Sequence, residues 1–358
     1  MSYRLVFERV REEHIGPYVE LSRTEYAGQP ASQPAHLRWK HLENPQGASS
    51  AYHLYDGETL VGRICLQLRD FVLGGRKLRA GYLTDLLIHP QHRGMKTFLQ
   101  LMRDIRSVPA VDLLYVTPNA TSSPLYTGVL RFRRSHRMSV QAAPVRARRL
   151  LEHVFSVRSR LVAAVVDGLL RLVIVALGLL AWRPRRPLRI TRTRPPDTDL
   201  ESLLRESSRI ENLEGERGPA FHAWRFHESP VHTYRTAYVH DGSQLVAYLV
   251  TRVAEYAGYR TLFVIDVRLH PGLGWRDRLH LRSWLLGRAR HEGCDLALGI
   301  FMRENPGLGR FCRLPFVRVP VRLLPQPVDL FLVDLGSADV LPADPDRYPF
   351  TLADLDVF

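Results

Sequence analysis

Cysteine is scarce and scattered: Cys65, Cys294 and Cys312 are the only three in 358 residues. An odd, ungrouped set argues against a disulfide framework and against a thiolate metal site, and predicts a reducing compartment. The histidines show no ligand spacing either, so no metal is expected. The opening residues MSYRLVFERVREEH carry charge throughout, so no secretory signal peptide is expected. Acidic residues are nearly missing from one stretch: between Arg131 and Pro196 stand sixteen arginines, no lysine, and only Glu152 and Asp167 as acids. That excess equals the formal +14 of the whole chain, so the flanking regions are close to neutral. A nucleic-acid enzyme more often spreads basic residues over its working face. Charge confined to one connector argues against a nucleic-acid partner.

What the chain does contain is a repeat. LRWKHLENP (Leu37 to Pro45) recurs as HAWRFHESP (His222 to Pro230), and Trp39/Trp224, Pro45/Pro230, Asp56/Asp241 and Leu60/Leu245 are each 185 residues apart. TDLLIHP (Thr84 to Pro90) recurs as IDVRLHP (Ile265 to Pro271) at 181, Asn119 matches Asn305, and Phe132 matches Phe316. An ordered series at nearly constant spacing implies two copies of one domain. The division it suggests is 1–145, a connector 146–194, 195–340, and a tail 341–358.

Each copy reads alike. A helix precedes the Trp…Pro segment, and two β-rich runs flank Asp56-Gly57, a hairpin signal. A second turn at LGGRK leads to a strand ending at Pro90; MKTFLQLMRDIR has helical spacing, VDLLYVT is a short buried strand, and SSPLYTGVL a short helix. The expected fold class is α/β (α+β), with a mainly antiparallel sheet flanked by helices in each copy.

Strand, loop HPQHRGMK and helix follow one another, and Gln91-His92-Arg93-Gly94-Met95-Lys96 resembles the Q/R-x-x-G-x-G/A loop of the GCN5-related N-acetyltransferase (GNAT) superfamily, with Lys96 where Gly or Ala is usual. Asn119, Ser122, Leu125 and Tyr126 match a second family element, although GVLRF has Arg131 where Gly is expected. The resemblance covers roughly Tyr3 to Arg134 and, more weakly, Pro195 to Val333. It implies acetyl-CoA, or another acyl-CoA, as cofactor. The pantetheine arm would lie along Leu86, Leu87, Ile88 and His89. The pyrophosphate would lie on the loop and helix start formed by Gln91, His92, Arg93, Gly94, Met95, Lys96 and Thr97, with Asn119 nearby. A helix N-terminus with unpaired N–H groups and adjacent cations suits an anion on physical grounds alone. The resemblance also implies that Tyr126 protonates or hydrogen-bonds the departing CoA thiolate. Asp85 is a candidate general base, but its counterpart Asp266 recurs in the second copy, which points to a structural role.

The second copy departs from the pattern. Trp275 stands at Gly94, Asp277 at Lys96 and Phe311 at Tyr126, changes that oppose an anionic cofactor and remove the hydroxyl. That copy is read as a degenerate partner that shapes the acceptor site or stabilises the first. Trp39 and Trp224, present in both copies, are read as core packing. In the connector, Leu161 to Trp182 is long enough to span a bilayer. Its thirteen Leu, Ile and Val at about −0.5 kcal/mol each nearly cancel Asp167 and Arg171 at about +3 kcal/mol each. Asp167 and Arg171 lie four apart and are placed to pair. A span would also separate homologous copies, so the expectation is a helix on an anionic membrane surface or packed between domains.

The leading reading is a cytoplasmic acyl-CoA-dependent N-acyltransferase, peripheral at most to the inner face of a membrane, acting on a small-molecule, sugar or peptide amine. The alternatives are a non-catalytic membrane-associated binding protein and an aminoacyl-tRNA-dependent transferase.

Overall fold

The computed structural model describes residues 3–132, 134–180, 187–302, 307–325, 328–335 and 347–355. Asn305 and Trp182 lie outside the described residues, as do 336–346 and 356–358. In chain order the first copy runs β1 (Arg4–Arg9), α1 (Ile15–Tyr26), α2 (Pro34–His41), β2 (Ser50–Asp56), β3 (Thr59–Leu73), β4 (Arg76–Ile88), α3 (Met95–Leu101), β5 (Leu113–Val116), β6 (Arg134–Arg137) and β7 (Ser139–Pro144). Next come α4 (Arg148–Phe155) and α5 (Arg160–Leu180). The second copy continues with β8 (Leu188–Thr191), α6 (Asp197–Ser207), β9 (Glu214–Gly215), α7 (Pro219–Phe226), β10 (Arg235–Asp241), β11 (Gln244–Tyr256) and β12 (Tyr259–Leu269). It closes with α8 (Trp275–His291), β13 (Leu296–Phe301), α9 (Leu308–Phe311), β14 (Val317–Arg318) and β15 (Asp329–Asp334).

The packed units interleave along the chain. One comprises Met1–His136, Ile210–Thr233 and Asp329–Pro345; the other comprises Arg137–Arg209, Tyr234–Val328 and Asp346–Phe358. The first sheet has the order β1-β2-β3-β4-β5-β15-β6, with β9 on the side of β3. The second has the order β14-β7-β13-β12-β11-β10-β8. Each sheet has one parallel pair, β4–β5 or β12–β13, next to antiparallel ladders. Each also takes a closing strand from the other copy: β15 pairs with β5, and β7 pairs with β13.

Two short strands differ from the expected order. β1 precedes the first helix and pairs with β2; β8 pairs with β10 and starts the second copy inside the stretch read as a helical connector. Asp167 and Arg171 do not pair. The Asp167 carboxylate instead accepts the Ala147 N–H and faces Arg290 at 3.7 Å, while Arg171 is exposed.

The first unit buries both faces of its sheet, which explains the almost unbroken buried run along β3. One face packs Phe98, Leu101 and Met102 against Ile64, Leu66, Leu83 and Leu114. The other packs Ile15, Tyr18 and Leu21 of α1 and Leu37 of α2 against Leu60, Cys65 and Leu87. In the same unit Trp39 and Trp224 stack at 4.7 Å, and each indole N–H donates to the other's carbonyl oxygen at 2.9 Å. With Phe221 they form a small core cluster of their own. That satisfies both polar handles inside an apolar contact, the packing role read from their recurrence.

Candidate active site

β4 and β5 pair only through Ala80–Tyr82 and Leu113–Tyr115. There the Tyr82 and Tyr115 rings stack at 4.7 Å, and Tyr82 meets the Thr117 hydroxyl at 3.0 Å. Beyond that point the strands part, and Leu83–Ile88 stay paired with β3 alone. The parting opens a groove of about 400 Å³. Its apolar wall includes Leu86, Leu87, Ile88, Met95, Phe98 and Leu125; its polar groups include Glu25, Arg93, Asn119, Thr121 and Ser122. Gly94 and Tyr26 complete the lining. Of the residues predicted to hold the cofactor, Leu86, Leu87, Ile88, Arg93, Gly94, Met95 and Asn119 thus meet in one place. Glu25, Tyr26, Phe98 and Thr121 were missed, since α1 is some sixty residues upstream of the loop and nothing in its local pattern marks it.

Gly94 is the N-cap of α3. The first helical bond is from Phe98 N–H to the Gly94 carbonyl at 3.0 Å, so Met95, Lys96 and Thr97 present amides without an intrahelical acceptor. No acidic residue occupies the first turn, and no side chain caps it. A Cβ built on Gly94 meets nothing within 4 Å, so the position is open on its outer side. Arg93 donates to the Ile88 carbonyl at 3.0 Å and pairs with Glu25 at 2.6 Å. An anion arriving here has free amides and a cation whose present partner is a groove carboxylate. This fits a thioester with an apolar arm and an anionic tail.

The other predicted residues are placed differently. His89 lies just past β4 and accepts from Gln91 N–H at 3.3 Å; His92 meets the Tyr3 hydroxyl at 3.1 Å. Lys96 is exposed and Thr97 is buried, and neither lines the groove. Asn119 accepts from both the amide and the hydroxyl of Ser122, at 2.8 and 2.9 Å, and so shapes the turn that carries Leu125 into the groove. Tyr126 follows Leu125 on a π-helical turn, Leu125–Val129. Its ring is buried beside Phe132 and Phe331, and burial raises its pKa, so it stays a neutral phenol.

Asp85 sits at a register shift in β4, with a left-handed φ of 53°. Its carboxylate takes Lys40 Nζ on one oxygen and His41 Nε2 on the other, both at 2.7 Å. Burial alone would raise its pKa, but the Lys40 charge and the His41 hydrogen bond hold it well below the usual carboxylate range. A carboxylate held this way is a weak proton acceptor, and it is absent from the groove lining. The arrangement gives Asp85 a positioning role, tying the bulge of β4 to α2.

Two groups gather metal-ligand residue types: His41, Cys65 and Asp85, and Glu8, His14 and His53. In the second, His14 Nδ1 accepts the Arg11 N–H at 2.9 Å, which leaves the ring proton on Nε2, facing Glu8. His53 meets Glu8 through Nδ1 at 3.1 Å and the Tyr18 hydroxyl through Nε2 at 2.6 Å, and burial lowers its pKa to about 4. In the first group Lys40 already neutralises the carboxylate. Hydrogen bonds account for both groups.

Residues 7–118 match the family model described as an acetyltransferase (GNAT) domain. No curated protein matches the chain. Among solved structures, a conserved protein of unknown function from Enterococcus faecalis V583, described as a probable N-acyltransferase, is similar at a TM-score of 0.61 and 12% identity, over 94% of this chain and 73% of its own. A GCN5-related N-acetyltransferase from Anabaena variabilis gives 0.57 and 12%, over 93% and 73%. Saccharomyces cerevisiae N-myristoyltransferase with bound myristoyl-CoA gives 0.54 and 11%, over 92% and 79%.

Proposed function

We propose, from the match of residues 7–118 to the acetyltransferase (GNAT) domain model, that the chain is an acyl-CoA-dependent N-acyltransferase working through its first copy. The observation that carries the reading is the groove where β4 leaves β5, ending at the uncapped start of α3. Acetyl-CoA is the donor we assign, with an amine as acceptor. The fold shared with an enzyme that holds myristoyl-CoA supports a donor of the acyl-CoA class. Arg93 and the amides of Met95, Lys96 and Thr97 would hold the pyrophosphate, and the unpaired end of β4 would hold the pantetheine arm. When bound, the donor supplies an activated thioester carbon.

Along this route the acceptor nitrogen forms a bond to that carbon, the C–S bond breaks, and the amine sheds a proton to water. Tyr126 is the residue assigned to meet the leaving sulfur; its ring is buried in the core just behind Leu125 and outside the groove lining, so the assignment requires its hydroxyl to reach the groove when the donor is bound. Burial keeps the phenol protonated but also makes it a weaker acid, so its contribution is a hydrogen bond to the departing sulfur more than full proton transfer. Free, buried cysteines accord with a reducing, cytoplasmic setting. The second copy is assigned a supporting part, because its loop is closed to an anion.

The test is kinetic. Release of CoA thiol from acetyl-CoA is followed with a panel of small amines, amino sugars and peptides. Tyr126→Phe is expected to lower kcat by about 10²-fold or more, within the range typical of general acid–base catalysis, with KM for acetyl-CoA little changed. Wild-type protein that binds acetyl-CoA yet acylates no member of the panel, or a Tyr126→Phe variant as fast as wild type, would count against the assignment.

A further inference from the structure

The helix α5 is packed on one side and bare on the other. Its inner face joins the core of the second unit through Ile174 and Leu177, and the Ser283 hydroxyl donates to the Ile174 carbonyl at 3.3 Å. Asp167, on the same face, is engaged by the Ala147 N–H and Arg290. The outer face would be polar in an ordinary surface helix. Here Leu161, Val165, Leu169, Leu172, Leu179 and Leu180 are each more than half exposed. Arg171 is the one charged residue among the exposed positions between Leu161 and Leu180. The helix is about 32 Å long at 1.5 Å per residue, and such a continuous apolar strip marks an interaction surface.

The charge around the strip identifies its occupant. Arg158, Arg160 and Arg171 are exposed, and among the described residues no carboxylate pairs with them. Beyond the C-terminal end the sequence adds Arg183, Arg185, Arg186 and Arg189. A second copy of the chain docking face to face would bring two arginine rims together, which like charge opposes. An anionic lipid surface neutralises the same rim while its acyl boundary covers the aliphatic strip. A bilayer-spanning helix would surrender the contacts with Ser283 and Arg290 and leave Asp167 in hydrocarbon.

We propose that α5 lies in the plane of an anionic membrane surface, with Leu161, Val165, Leu169 and Leu172 immersed and Arg158 and Arg160 on the headgroups. This surface is separate from the acyl-CoA groove and does not depend on it.

The full chain is sedimented with vesicles of phosphatidylcholine alone or mixed with phosphatidylglycerol. Binding to the anionic vesicles is expected to exceed that to neutral ones by about tenfold or more and to fall as salt rises. The combined variant Val165→Glu, Leu169→Glu, Leu172→Glu is expected to lose binding by about tenfold or more while keeping the wild-type circular dichroism spectrum and unfolding profile. Arg158→Gln with Arg160→Gln, which leaves the apolar strip intact, is expected to lose the preference for anionic vesicles in part. The proposal is overturned by wild-type protein that ignores both vesicle types, or by a triple variant that binds as well as wild type. It is equally overturned by membrane association that resists alkaline carbonate, as a spanning helix would, or by a concentration-dependent dimer that the triple variant dissolves and vesicles leave untouched.

Discussion

The two helix starts that follow the two parallel-paired strands, Gly94 before α3 and Gly274 before α8, share a place in the repeat and differ in what occupies their amides. At α3 nothing caps the first turn, the preceding residue is Arg93, and the space beside Gly94 is open. At α8 the Asp277 carboxylate, buried, accepts the Gly274 N–H at 2.9 Å, the return half of a capping box. The N-cap glycine is kept, Gly274 for Gly94, so Trp275 stands at the place of Met95 and Asp277 at that of Thr97, one position away from the pairing read in the sequence. Trp275 is exposed, with Arg276 over its ring at 5.3 Å. The second copy has satisfied its helix from within; the first leaves its first-turn amides uncapped. An anion site is easily lost in this way, because one carboxylate in the first turn supplies the charge that a phosphate would bring.

The buried aspartates sharpen the same contrast. Asp85 is held by an ammonium and an imidazole, whereas Asp266 is held by the hydroxyls of Tyr248 at 2.8 Å and Thr351 at 3.3 Å. The largest expected effect is therefore Lys40→Met, which leaves a buried carboxylate without its countercharge and costs about 3–5 kcal/mol. Tyr248→Phe in the second copy removes one hydrogen bond to a charged group and costs about 1.5–3 kcal/mol. Urea unfolding of both variants compares them; equal losses would mean that the two aspartates do the same work. The smallest effect belongs to Lys96. It is exposed, unpaired among the described residues and outside the groove lining. Lys96→Ala is expected to weaken acetyl-CoA binding only about 2- to 5-fold, as suits a screened surface charge, and the difference should shrink in high salt. A loss of 100-fold would move Lys96 into the pyrophosphate site.

Much of this is legible in the sequence, and for local reasons. Asp56-Gly57 and Gly74-Gly75 announced hairpin turns because Gly57, Gly74 and Gly75 take positive φ of 59°, 60° and 79°. The loop from Gln91 to Lys96 was readable because its glycine and cations are contiguous. Long-range features were not. Glu25 reaches the groove from α1, and no spacing rule links it to Arg93. Lys40 and His41 look like the polar end of a short helix, yet both are buried against Asp85. The recurrence of aspartate at 85 and 266 pointed to structure, but the different partners of each lie far away in sequence. The pairings of β7 with β13 and of β15 with β5 join segments far apart in sequence, and hydrophobic pattern alone does not tell which sheet a strand completes.

The comparison between the two helix starts is tested most directly by calorimetric titration of acetyl-CoA into the full chain. One site per chain is expected. Gly94→Trp, which puts a bulky side chain at the open N-cap of α3, should weaken binding by at least about 100-fold, roughly 2.7 kcal/mol, while Trp275→Gly should leave it unchanged. Two sites per chain, or binding that ignores Gly94→Trp, would contradict the account.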